Sequence, residues 1–217
     1  PSLTLDRGDL VLKSGSLNSS IHVPANAKLM TYATRGMEPL RGFTEFFRAA
    51  VVAMQSDPAL HVVIAGNDRA AYSYPSNHAS QSWKIALLEE ANGAVDLSRL
   101  HFPGLVSYGE LRNLFWRSDL HCYFTRPYVL SWGLFQAAAC GARLLVNQFE
   151  GFEEVFQDPY AISVVDLDNQ DDINKSVMRC LDLGRTQPLK SSLRDGLDLQ
   201  TSMHSWINLV KRLCSYP

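Results

Sequence analysis

The chain has 217 residues, 46% hydrophobic and 19% charged, with a formal net charge of −2. That length can bury a substantial core, and the composition is that of a folded globular protein, not a disordered one. No long basic run suggests nucleic acid or an anionic membrane as main partner, and no apolar run reaches the ~20 residues of a membrane span.

Cys122, Cys140, Cys180 and Cys214 lie outside metal-ligand spacing of one another. Cys122 and Cys140 sit in apolar segments, so buried reduced thiols are expected in place of disulfides or a zinc site. No signal-peptide pattern opens the chain, which points to a cytoplasmic location. The first residue is Pro1, as expected of a fragment of a longer protein.

Residues 1–28 are rich in Ser, Asn and Gly without a sustained period, and read as a linker or irregular edge with one short strand at 9–13. From residue 29 the pattern alternates. Strands are predicted at 29–34, 60–66, 99–105, 119–124, 143–147 and 161–165. Helices are predicted at 43–54, 83–91, 108–116 and 134–140, with three more at about 170–184, 189–198 and 201–214. Strands that read as continuous apolar runs, each followed by a helix, imply a parallel sheet covered on both faces. The expected fold is a doubly wound, mostly parallel, Rossmann-like α/β domain over 29–217, with extra C-terminal helices. Ligands in such sheets bind beyond the carboxyl ends of the strands, near the reversal of strand order.

The chain has no G-x-G-x-x-G, Walker A, H-E-x-x-H or G-x-S-x-G sequence, so it lacks the signatures of dinucleotide oxidoreductases, P-loop enzymes, zincins and α/β-hydrolases. His61 and His121 fall in predicted strands and read as core histidines.

Three strand-to-helix junctions carry polar and small residues instead. TRGMEPLRG at 34–42 places Arg35 and Arg41 in one loop, with Gly36 and Gly42 permitting close backbone approach. Guanidinium forks beside a helix N-terminus suit a diphosphate; two solvated surface arginines are the competing reading. PGLVSYGEL at 103–111 offers Ser107 and Glu110 as a capping box, which explains those residues by itself. TRPYVLSWGLFQAAACG at 125–141 opens a small-residue helix near Ser131, whose first amides and positive dipole end face the crest of the sheet.

The order and spacing of these segments resemble the C-terminal domain of GT-B glycosyltransferases, in particular glycosyltransferase family four, the group 1 type. The resemblance runs by motif from about residue 29 to 155. It implies that Arg35 and Arg41 hold the donor diphosphate, Arg41 standing in place of a family lysine. By the same resemblance Gly36 belongs to that loop and Gly66 ends the second strand as in V-I-V-G-x-G. Leu105 and Val106 lie in the turn that contacts the base through main chain. Leu130, Ser131, Trp132 and Gly133 open the donor-side helix, and Gln136 takes the place of the glutamate that binds ribose hydroxyls. Tyr128 stands where the family has its first glutamate.

The implied activity is retaining transfer of a hexosyl group from a nucleoside diphosphate sugar, a UDP- or GDP-sugar, with no metal or other cofactor. Arg35 and Arg41 would stabilise the leaving diphosphate. The implied partner is an absent N-terminal acceptor-binding domain, and the isolated chain is expected to be inactive. The alternatives are a non-catalytic nucleotide-sugar-binding module and another GT-B enzyme, such as an epimerase or phosphorylase.

Overall fold

The computed structural model describes residues 8–13, 20–78, 80–127, 130–149, 152–156, 162–184 and 199–214. In chain order its strands are β1 (Leu10–Lys13), β2 (Ser20–Val23), β3 (Lys28–Gly36), β4 (Leu60–Asn67), β5 (Leu100–Gly104), β6 (Leu120–Tyr123), β7 (Leu144–Asn147) and β8 (Ile162–Val165). The helices are α1 (Phe43–Ser56), α2 (Trp83–Glu90), α3 (Tyr108–Arg117), α4 (Trp132–Ala139), α5 (Phe152–Val155), α6 (Gln170–Leu183) and α7 (Leu199–Cys214).

Strands β3 to β8 form one six-stranded sheet in the order β5-β4-β3-β6-β7-β8, and every neighbouring pair is parallel. Parallel strands need a crossover between them, and the crossover helices bury both faces. On one face α1, α2 and α6 cover Met30, Tyr32, Ile64 and Cys122. Tyr32 stacks on Phe46 with ring centroids 4.6 Å apart. On the other face α3, α4 and α5 cover Val63, Tyr123, Leu144 and Val146. The sheet is doubly wound.

Residues 1–28 hold more structure than a linker where they are described. β1 and β2 pair antiparallel, and Leu10, Leu12 and Val23 pack with Leu114 of α3 in one cluster. The Ser107–Glu110 capping box is present at the start of α3, and Glu110 also accepts from the Lys13 amide at 2.9 Å, tying the hairpin to that helix. α4 begins at Trp132, next to the start expected near Ser131 and two residues before the 134–140 pattern, and α5 falls where no helix is predicted. The predicted helix at 189–198 lies outside the described residues. Cys122, Cys140 and Cys180 are buried, and Cys214 is exposed. Among the described residues no helix is long and apolar enough to cross a membrane.

A polar thread crosses the core at the centre of the sheet. Thr31 Oγ1 lies 2.8 Å from Ser118 Oγ and 2.9 Å from His121 Nδ1. The His121 ring meets Phe115 edge-on and is 1% exposed. Burial lowers its pKa from 6.5 to about 3. The unfolded chain takes a proton there near pH 6.5, whereas the folded imidazole does so only near pH 3. Stability is therefore whole above pH 6.5 and falls as the pH drops through that window. His121 contributes a slope of at most about 1.4 kcal/mol per pH unit. Urea unfolding between pH 6 and pH 4.5 should show His121→Asn losing stability less steeply than the parent chain. Identical slopes would contradict the assignment.

Candidate functional site

Sheet order reverses between β3 and β6: the chain leaves β3 toward β4 on one side, and β6 leads to β7 on the other. Loops diverging at such a point leave a crevice at the carboxyl ends of the strands. A cavity of about 340 Å³ lies there. Its walls come from the end of β3, the end of β4, the β5–α3 turn and the start of α4. Arg35 and Arg41 line it, and among the described residues no aspartate or glutamate does.

Arg41 is fixed at both ends. Its carbonyl accepts from Tyr32 Oη at 2.6 Å, and its Nη1 donates to Thr125 Oγ1 at 2.8 Å. Burial pushes the Tyr32 phenol well above its ordinary pKa, so it stays a neutral donor. Thr125 is in turn gripped by Asn147 at the end of β7. Its amide donates to Asn147 Oδ1 at 2.9 Å, and its carbonyl accepts from Asn147 Nδ2 at 3.1 Å. Three adjacent strands thus set the position of one guanidinium. Arg35 Nη1 donates to Tyr72 Oη at 3.4 Å, and the Arg41 guanidinium carbon lies 4.4 Å from the centre of the same ring. Among the described residues neither arginine forms an ion pair with a carboxylate.

The nearest acid in sequence is spent elsewhere. Glu38 is 0% exposed, and its carboxylate accepts from the amides of Ala71, Tyr72 and Ser73, each at 2.8 Å. The Ser73 hydroxyl donates to it at 2.9 Å. Burial alone would raise its pKa; the four hydrogen bonds outweigh that and hold the carboxyl below its usual range. Across the cavity, the amides of Trp132 and Gly133 belong to the first turn of α4, where no preceding carbonyl of the helix can accept from them.

Residues 41–211 match the family described as glycosyl transferase-like. The chain belongs to that family.

Solved structures agree on the fold. The chain is similar to the C-terminal domain of the group 1 glycosyl transferase LpcC of Francisella tularensis, with a TM-score of 0.57 and 15% identity, over 72% of this chain and 76% of that one. It is similar to Anabaena HepE, solved with UDP and glucose, with a TM-score of 0.61 and 14% identity, over 88% of this chain and 49% of that one. The UDP-forming α,α-trehalose-phosphate synthase of Burkholderia xenovorans aligns with a TM-score of 0.56 and 15% identity, over 76% of this chain and 38% of that one. The chain therefore spans less than half of the latter two proteins. No curated protein matches it in sequence. Its fold is the Rossmann-like C-terminal domain of GT-B, group 1 glycosyltransferases.

In this glycosyl transferase-like domain the cavity brings together Arg35, Arg41, Gly66, Leu105, Val106, Ser131, Trp132, Gly133 and Gln136. Gly36 and Leu130 do not line it. Gly36 packs instead on the neighbouring loop, where an added Cβ would stand 2.6 Å from the Arg69 carbonyl oxygen. Leu130 is 40% exposed just before α4. Tyr128 lies outside the described residues. Sequence reasoning missed Tyr32, Tyr72, Tyr123 and Thr125. The first three line the cavity and Thr125 holds Arg41. A cluster of hydroxyl-bearing side chains in three separate segments was the only signal available, and their meeting is long-range.

Gly66 has φ +140°, and a Cβ there would stand 2.1 Å from the Thr34 carbonyl oxygen. Both the backbone conformation and the space exclude a side chain. Gly66→Ala is expected to cost roughly 2–4 kcal/mol in urea unfolding. A change below about 0.5 kcal/mol, the size of a neutral surface substitution, would contradict this close approach.

Proposed function

We propose that the chain is the donor-binding half of a retaining glycosyltransferase that takes a nucleoside diphosphate sugar, a UDP- or GDP-sugar. One observation carries the reading: Arg35 and Arg41 face one cavity that, among the described residues, gives them no carboxylate partner and no acidic wall. Two guanidinium groups and the first-turn amides of α4 are a recognition set for a diphosphate. The complexes of HepE with UDP-glucose and with UDP and glucose support the same donor class.

The chemistry follows from where charge develops. As the glycosidic bond to the diphosphate breaks, negative charge gathers on the leaving group beside an oxocarbenium-like sugar. Fixed positive charge at that place lowers the barrier without reorganising at the moment of reaction. Arg41, held by Tyr32 and Thr125, is suited to this role. Gln136 offers a carbonyl acceptor for a ribose hydroxyl, a weaker partner than a carboxylate. The main chain of Leu105 and Val106 is the base-side wall. A cavity of about 340 Å³ is at the small end for a ligand site, in keeping with a second half that would supply the acceptor. The isolated chain therefore binds donor without useful turnover. Gln136 in place of a carboxylate also favours a second reading, a nucleotide-sugar-binding module without catalysis.

Calorimetric titration of the chain with UDP and with GDP tests the proposal. One of them should bind, and Arg35→Ala and Arg41→Ala should each weaken it by about 10- to 100-fold, the loss of a charge-assisted hydrogen bond. Binding of neither, or variants that bind like the parent, would refute the site; full-rate transfer by the isolated chain would refute the missing half.

A further inference from the structure

The β4–α2 connection is clamped from two sides by the loop that carries the arginines. Glu38 holds the amides of residues 71–73, and the bare Cα of Gly36 lies against the Arg69 carbonyl. The backbone of Tyr72 is therefore fixed relative to Arg35 and Arg41, while its side chain remains 53% exposed at the cavity wall. Its ring face meets Arg41 and its oxygen meets Arg35.

Two guanidinium groups facing one space, with no carboxylate partner among the described residues, repel each other; Thr125 restrains Arg41, whereas the long stem of Arg35 can swing into solvent. A phenol between them offers a partner of the right sign to both: the electron-rich ring face to one and an oxygen lone pair to the other. We propose that Tyr72, on a turn fixed by buried Glu38, is a positioning residue that keeps Arg35 and Arg41 converged and so lets the site tell a diphosphate from a monophosphate. This rests on the donor-site reading above. A diphosphate spans both cations and gains from their convergence, whereas a monophosphate engages one and gains little. Both arginines favour the phenolate form of Tyr72, Arg35 more than Arg41, which lowers its pKa as this contact requires.

The test compares UDP with UMP, and GDP with GMP, by calorimetry on the full chain, Tyr72→Phe, Tyr72→Ala and Glu38→Gln. Preorganisation of two long side chains is worth about tenfold in affinity. Tyr72→Ala should weaken diphosphate binding about tenfold and monophosphate binding by less than about threefold. Tyr72→Phe, which keeps the ring over Arg41, should lose about threefold for the diphosphate. Glu38→Gln should reproduce the Tyr72→Ala pattern while the Tyr72 side chain is still present. Ultraviolet titration should show an early phenolate in the parent that is missing from Tyr72→Phe. Should Glu38→Gln fail to fold, the half-exposed Tyr72 variants still decide the matter. An unchanged diphosphate-to-monophosphate ratio in Tyr72→Ala overturns this inference and leaves the donor site standing. A parent chain that binds neither UDP nor GDP overturns both.

Discussion

Where β3 and β6 lie side by side, their following loops must part in opposite directions, and no crossover helix can close the gap between them. Much of the rest of the structure answers to that opening. Both faces of the sheet are sealed by helices, so its crest is where polar groups can meet a ligand without breaking the core. Tyr32 shows how the two regions are joined: its ring stacks on Phe46 inside the core and its hydroxyl holds the Arg41 carbonyl at the crest. Asn147 and Thr125 extend the same support from β7 and β6.

Charge is sorted within a few residues of chain. The end of β3 and the loop after it contain Arg35, Glu38 and Arg41, in which the one acid could pair with either arginine in a free peptide. Folding turns Glu38 away and uses its carboxylate to bind three successive amides, leaving the two guanidinium groups to the cavity. A buried carboxylate is costly unless fully hydrogen-bonded, and here it is. The same contact gives the Tyr72 turn a fixed place, so one acid both withholds its charge from the site and shapes its wall. Gly36 and Gly66 serve the packing beneath: at each the neighbouring backbone comes too close for a Cβ.

The sheet was readable in the sequence because strands buried on both faces are continuous apolar runs; all four residues of β6 are buried. β5 gave a weaker pattern because it is an edge strand with half-exposed residues. The hairpin of β1 and β2 was only half visible, since two four-residue strands carry little period and their burial depends on α3, far along the chain. The 134–140 pattern misses the first turn of α4, an exposed Trp132 and a glycine without an apolar face, although the loop chemistry places the start near Ser131. At the site, loops placed at strand ends pointed to Arg35, Arg41 and the start of α4. Tyr72 and Glu38 were not readable as a pair: 34 residues separate them, and Tyr72 lies in a serine-rich connection without a period.

The central claim is that Arg35, Arg41 and the opening amides of α4 serve one anion. A crystal structure of the chain soaked with the nucleoside diphosphate that binds in solution addresses this most directly. Diphosphate density within hydrogen-bonding distance of both guanidinium groups and of the Trp132 or Gly133 amide is the result the account requires. Density for the ligand elsewhere on the surface, with the crevice between β3 and β6 left to water, would contradict it.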